Sequence, residues 1–314
     1  MLIKFIPQSP PHDIDSFWEK ALEELESIHP SFEILETNSF QPGGIQVHFS
    51  FRGYKNQLLF GYYLMHEQIK NQTTVVFYHG YTYHGGKIKE HLHWFNQGYA
   101  VITYDFRGQG GKSKDDFVYG NPHEILMIRG VLNKDEYYLK HAILDSYQLY
   151  RIAKSLYFVN PEQIIIDGFS QGGGIALLIA SFTQPLCVCA DVPSYSYFYG
   201  RYQTGNGSVK MIKDYVIEHQ LDEKHVVEQL AYFDLIHLAK KITSPVIVSV
   251  GLKDDICPAP YLMPSYDQIK TKKMLYSYPD NGHEGGGKIH EERKLSWVKE
   301  IISEHKGITQ STKH

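Results

Sequence analysis

The stretch from residue 163 to 182 constrains this chain more than any other. It opens with a short apolar run, Gln163-Ile164-Ile165-Ile166. It passes through Asp167-Gly168-Phe169-Ser170-Gln171-Gly172-Gly173-Gly174 and continues into the apolar segment IALLIA. A buried strand, a serine between spaced glycines and a helix are the setting in which Gly-x-Ser-x-Gly makes a sharp strand-to-helix turn. Such a turn leaves no room for side chains two residues before and two after the serine, and Gly168 and Gly172 stand there. The turn strains Ser170 and lifts its hydroxyl above the sheet. The amide of Gln171, at a helix N-terminus, points to where an oxyanion would form. A passive glycine-rich turn is the bland alternative, and the strand before and helix after argue against it.

The rest of the chain repeats this alternation. Short apolar runs without polar alternation occur at 74–78 (TVVFY), 100–104 (AVITY), 187–192 (CVCADV) and 245–250 (PVIVSV). Runs of this kind suit strands buried on both faces of a parallel sheet. Helix-like segments at 87–96, 135–156 and 171–182 lie between them. The pattern predicts an α/β fold, a mostly parallel central sheet with helices on both faces, and a site at the carboxyl ends of the strands. Ahead of it, 15–28 reads as an amphipathic helix with Trp18, Ala21, Leu22, Leu25 and Ile28 on one face. Residues 45–51 alternate as a half-buried strand, paired antiparallel with 58–65. Residues 194–241 break the rhythm and read as a helical insertion over the sheet's carboxyl edge. A single domain over 1–314 is expected, with an N-terminal extension over about 1–65.

A serine hydroxyl is a weak nucleophile until a base takes its proton. On the α/β-hydrolase fold, the acid follows a later strand and the histidine follows the last one. After 245–250 come Gly251-Leu252-Lys253-Asp254-Asp255. After 274–278 come Pro279-Asp280-Asn281-Gly282-His283-Glu284. His283 is the expected base. Asp254 is the better-placed acid, with Asp255 competing for the role or capping a helix; Asp254 itself could also be a cap. The second oxyanion donor should follow the early strand 74–78, and the amide of Tyr81 is the candidate. His79, His84, His91 and His93 match no known metal-ligand spacing, and no cysteine joins them, so a metal site is not expected.

The balance of 31 basic against 35 acidic residues leaves a formal charge of −4. That argues against a surface for nucleic acid or anionic lipid. Three cysteines, Cys187, Cys189 and Cys257, suggest a reducing compartment. The first two lie on one face of a strand and pair poorly. The N-terminal sequence has no long apolar segment, no membrane span is read, and a cytoplasmic location is expected. The 24 tyrosines suit packing, polar pockets and subunit contacts.

Three separated motifs then narrow the reading: Arg107-Gly108-Gln109, Gly168-Phe169-Ser170-Gln171-Gly172 and His283-Glu284. With them stand Tyr104-Asp105-Phe106, Tyr232-Phe233-Asp234 and Asn281-Gly282. At these residues the chain resembles the acetyl xylan esterase / cephalosporin C deacetylase family, carbohydrate esterase family 7, from about the N-terminal helix to the last helix. The resemblance implies removal of acetyl groups from small esters such as acetylated xylo-oligosaccharides or cephalosporin C. It implies Ser170 as nucleophile, Asp254 as acid, His283 as base, and the amides of Tyr81 and Gln171 as oxyanion donors. Arg107 is assigned a bracing role beside the site, and the resemblance implies neither metal nor organic cofactor. The family implies a homo-oligomer, typically a ring-like hexamer. The stretch that builds its subunit contact, here 112–128, is shorter than the family's and holds one proline, Pro122. Residues 195–209 depart from the family pattern as well. Two rivals stay open: an esterase or thioesterase of different acyl or leaving-group preference, and a degenerate hydrolase fold serving as a scaffold. For the esterase, activity should fall as pH drops through about 6, where imidazole ordinarily protonates.

Overall fold

The computed structural model describes residues 8–311. The first seven residues, part of the N-terminal segment discussed above, lie outside the described residues. In chain order the elements are α1 (Ile14–Glu26), β1 (Phe32–Gln41), β2 (Gly44–Arg52), β3 (Leu58–His66), β4 (Gln72–Tyr78), α2 (Ile88–Phe95) and β5 (Ala100–Tyr104). Then come α3 (Tyr138–Ser155), β6 (Val159–Phe169), α4 (Gln171–Ala180) and β7 (Cys187–Asp191). Four short helices follow: α5 (Phe198–Thr204), α6 (Val209–Glu218), α7 (Glu223–Leu230) and α8 (Leu235–Leu238). The chain closes with β8 (Val246–Gly251), α9 (Ala259–Gln268), β9 (Lys273–Tyr278) and α10 (Gly287–Ser311).

Among the described residues, nine strands form one sheet in the order β1-β2-β3-β5-β4-β6-β7-β8-β9. The strands from β5 to β9 pair in parallel, and β1, β2 and β3 extend the sheet antiparallel from β5. Both faces of the parallel part are covered. Ile164 and Ile166 of β6 pack on the face of α3 and α4, whereas Ile165 turns to a second core with Trp94, Phe95, Trp297 and Val298 from α2 and α10. A strand buried on both faces needs apolar residues at every position, which is why these runs lack polar alternation. Cys187 and Cys189 share the α2/α10 face, both buried and free.

The predicted α/β architecture is the one observed, with three differences. Strand β1 was not expected. Its sequence, FEILETNSFQ, is exposed nearly throughout and pairs on one side only, so no burial pattern marks it. Helix α1 ends at Glu26, and Ile28 lies beyond it and exposed rather than on the buried face with Trp18 and Leu25. Strand β6 runs from Val159 to Phe169, well past the apolar run that marked it, because its polar start still pairs with β4.

Candidate active site

Ser170 sits between the last residue of β6 and the first of α4 with φ 56° and ψ −114°. A non-glycine residue at positive φ is strained, and here neighbouring bonds hold it there. Its N–H donates to Asp191 O (2.8 Å), and its carbonyl accepts from Gly174 N and Ser194 N (3.0 Å each). A Cβ at Gly168 would lie 2.2 Å from Gly172 O, and one at Gly172 would lie 1.8 Å from Tyr78 O. Neither glycine can carry a side chain, the steric requirement read from the sequence.

His283 comes from the loop between β9 and α10. Its Nε2 lies 2.9 Å from Ser170 Oγ and its Nδ1 lies 2.8 Å from Asp254 Oδ2. The residues are 113 and 29 positions apart in the chain, so the fold alone brings them together. Asp254 is buried, and its Oδ1 accepts from Ile256 N and Cys257 N, both 2.9 Å. Burial pushes its carboxyl up, but the bonds from His283 and the two amides outweigh burial and hold it below the usual range. Asp254 thus serves both its own turn and His283. Asp255 is exposed and caps nothing: α9 begins after Pro258, without a side-chain cap. The acid alternative and the helix-cap reading for Asp255 both fall. The Phe169 and His283 rings pack in a T-shaped arrangement, centroids 5.2 Å apart. Glu284 ties the loop, accepting from Asn281 Nδ2 (2.8 Å) and Gly282 N (3.1 Å).

The loop after β4 passes beside the elbow: a Cβ on Gly80 would lie 3.9 Å from Ser170 Cβ. Tyr81 follows and lines the same cavity as Ser170 and Gln171. As the first residue of α4, Gln171 has an N–H with no intrahelical acceptor. His79 holds this loop, its Nδ1 2.7 Å from Gly80 O and its Nε2 accepting from Phe106 N (3.1 Å). Those two partners define one neutral tautomer. Burial pushes its pKa down to about 3. His91 contacts Gly85 O, and among the described residues no group of three or more His, Cys, Asp or Glu side chains converges to hold a metal.

Arg107 lies fully buried. Its Nε and Nη2 make a bidentate pair with Asp145 (2.6 and 2.8 Å), and Nη2 also donates to Tyr54 O (3.0 Å). Burial works against its charge, but Asp145 outweighs burial and keeps it a cation. It braces the Arg107-Gly108-Gln109 loop against α3. Gln109 reaches further, with its side-chain amide on Gln171 and on the turn after Tyr81.

A cavity of about 310 Å³ opens above Ser170. Tyr81 and Met127 help line it, and the 194–241 segment contributes Tyr195, Ser208 and Met211. A larger groove of about 760 Å³, beside α9 with Leu252 and Met263 in its lining, contains none of Ser170, Asp254 or His283. Convergent chemistry rather than size marks the site.

One buried cluster escaped the sequence reading. Lys294 of α10 donates to both Asp167 oxygens (3.0 and 3.2 Å) and to Asp191 Oδ2 (2.7 Å). Trp94 Nε1 donates to Asp167 (2.7 Å), and His290 Nε2 lies 2.9 Å from Asp191 Oδ1. The cluster ties the last helix to the strand ends that bear and support the elbow. Its bonded partners are over 70 residues apart in sequence and leave no local signal.

Known proteins carry the same arrangement of chain. An acetyl xylan esterase from Paenibacillus sp. R4 superposes with a TM-score of 0.88 at 25% identity, over 95% of this chain and 98% of that one. Acetyl xylan esterase 1 from Thermoanaerobacterium sp. JW/SL YS485 does so at 0.87 and 28% identity, over 96% and 97%. The acetyl esterase Axe7A of Xylanibacter ruminicola is 22% identical over 287 residues, 87% of this chain; the chain spans 63% of that relative's length. The profile of the acetyl xylan esterase family, AXE1, matches residues 2–301, and the chain belongs to that family.

Proposed function

We propose that this protein is a carboxylic ester hydrolase that removes acetyl groups from small esters through an acetyl-enzyme on Ser170. The observation that carries the reading is the continuous chain of contacts from Asp254 through His283 to Ser170 at the floor of a cavity. Family membership supports acetyl esters, as do relatives described as acetyl and acetyl xylan esterases. Acetylated xylo-oligosaccharides and cephalosporin C are the substrates proposed.

In the proposed cycle His283 Nε2 takes the hydroxyl proton as Ser170 Oγ attacks the acetyl carbonyl carbon. Asp254 holds Nδ1–H and stabilises the imidazolium. The amides of Tyr81 and Gln171 stabilise the tetrahedral oxyanion, where one such donor typically supplies about 3 kcal/mol. The intermediate collapses, the C–O bond to the alcohol breaks, and His283 returns the proton to the departing oxygen. Water attacks the acetyl-enzyme by the same route and releases acetate and free Ser170.

A panel of acetate, butyrate and octanoate esters, with oxygen and sulfur leaving groups, tests the reading. The expected result is a steep preference for acetate oxygen esters. Equal or better turnover of octanoate or of thioesters would assign the site to a different acyl or leaving-group class.

A further inference from the structure

Gln109 is half-buried and does not line the cavity above Ser170, yet every polar atom of its side chain is engaged. Its Oε1 accepts from Thr82 N (2.9 Å). Its Nε2 donates to Gln171 Oε1 (2.9 Å) and to the Tyr138 hydroxyl oxygen (3.0 Å). A backbone N–H can only donate, so Thr82 settles which end of the amide faces it and leaves Nε2 for Gln171. Gln171 Nε2 returns a longer bond to Gln109 Oε1 (3.3 Å), and Tyr195 OH donates to Gln171 Oε1 (3.1 Å). Tyr138 OH donates in turn to Arg107 O (2.8 Å).

The turn that Gln109 grips is strained. Tyr83 N closes it onto Gly80 O (3.2 Å), and Thr82, its third residue, has φ +66°. A turn with positive φ at that position favours glycine, and a β-branched residue is disfavoured there. Relief is available by flipping the Tyr81–Thr82 peptide, which would withdraw the N–H from Gln109. The loop that carries Gln109 presses on the same turn: a Cβ on Gly110 would lie 2.4 Å from Thr82 O.

We propose that Gln109 is a positioning residue that holds the two oxyanion amides in register, clamping the Tyr81–Thr82 turn to the Gln171 end of α4. The inference rests on the acyl-transfer reading above. Gln109 touches neither Ser170 nor the cavity; it acts through Thr82 and Gln171.

Two variants of the full chain test it. Gln109→Met keeps the volume and removes every polar contact. Gln109→Glu keeps the acceptor for Thr82 N and loses the donor toward Gln171. Displacement of a catalytic group by about 1 Å costs on the order of 100-fold in rate, so Gln109→Met should lower kcat for an acetate ester about 10- to 100-fold. KM should stay within about twofold, as for loss of a contact made only in the transition state. Affinity for a boronic acid, which forms a tetrahedral adduct on the serine, should fall by the same factor. Inhibition by the product alcohol should not change, and Gln109→Glu should recover part of kcat. Wild-type kcat in Gln109→Met, or a KM effect with unchanged boronate affinity, overturns the proposal. A wild-type protein inert toward every ester of the panel overturns the acyl-transfer reading itself.

Discussion

Ser170 is held by its backbone as much as by its partners. Its amide is bonded to Asp191 O and its carbonyl to two amides, so removing Oγ should leave the turn in place. Ser170→Ala is therefore expected to abolish turnover of a chromogenic acetate ester while thermal unfolding stays within a few degrees of wild type. Retained turnover in that variant would remove Ser170 from the chemistry. Two buried histidines make a different demand. Burial pushes His79 down to about 3; burial and then the Arg107 cation push His141 down to about 2. Both fold neutral: His79 accepts from Phe106 N, and His141 Nδ1 accepts from Arg107 Nη1 (2.9 Å).

Helix α10 is pinned to the sheet by charge. Lys294 bridges Asp167, three residues before the nucleophile, and Asp191, whose carbonyl holds the nucleophile's amide. The ammonium is almost wholly inaccessible, and the two carboxylates that flank it hold its pKa far above the ordinary lysine value against the effect of burial. Breaking a buried pair by removing one partner leaves uncompensated charge, a loss of about 3–5 kcal/mol. Lys294→Met is expected to destabilise the protein by about that amount in urea unfolding. A midpoint equal to wild type would show that the pair contributes nothing net. The exposed edge strand and the helices over the site follow other rules. Strand β1 bonds on one side and buries little, while α6 buries Val209, Ile212 and Val216, and Ser208 and Met211 at its start line the cavity.

At the scale of the whole molecule, the neutral buried histidines set an acid limit. The unfolded chain protonates imidazole near 6.5, whereas His79 and His141 resist until about 3 and about 2. Below 6.5 the unfolded state therefore binds more protons, and stability present at neutral pH is lost as the pH falls from 6.5 toward 3. Each such group costs about 2 kcal/mol of stability by pH 5, at about 1.4 kcal/mol per pH unit. Calorimetric Tm should fall clearly between pH 7.5 and pH 5. An unchanged Tm would mean that these imidazoles are protonated in the folded state.

Residue type and local order carried much of the outcome. The apolar runs prescribed a doubly covered parallel sheet, because only such a sheet hides every residue of a strand. Gly168 and Gly172 prescribed the elbow, because no side chain fits where they stand. The order of the later loops singled out His283 and favoured Asp254, and the three motifs together pointed to the family. Tertiary structure decided the remainder. It chose Asp254 over Asp255 by burying one carboxylate and leaving the other in solvent. It paired Lys294 with Asp167 across 127 residues, and joined Gln109 to both Thr82 and Gln171. Those partners meet by packing rather than by spacing. Steric and periodic constraints act along the chain and can be read there, whereas electrostatic and hydrogen-bond partners depend on distances that exist only once the sheet and its helices have closed.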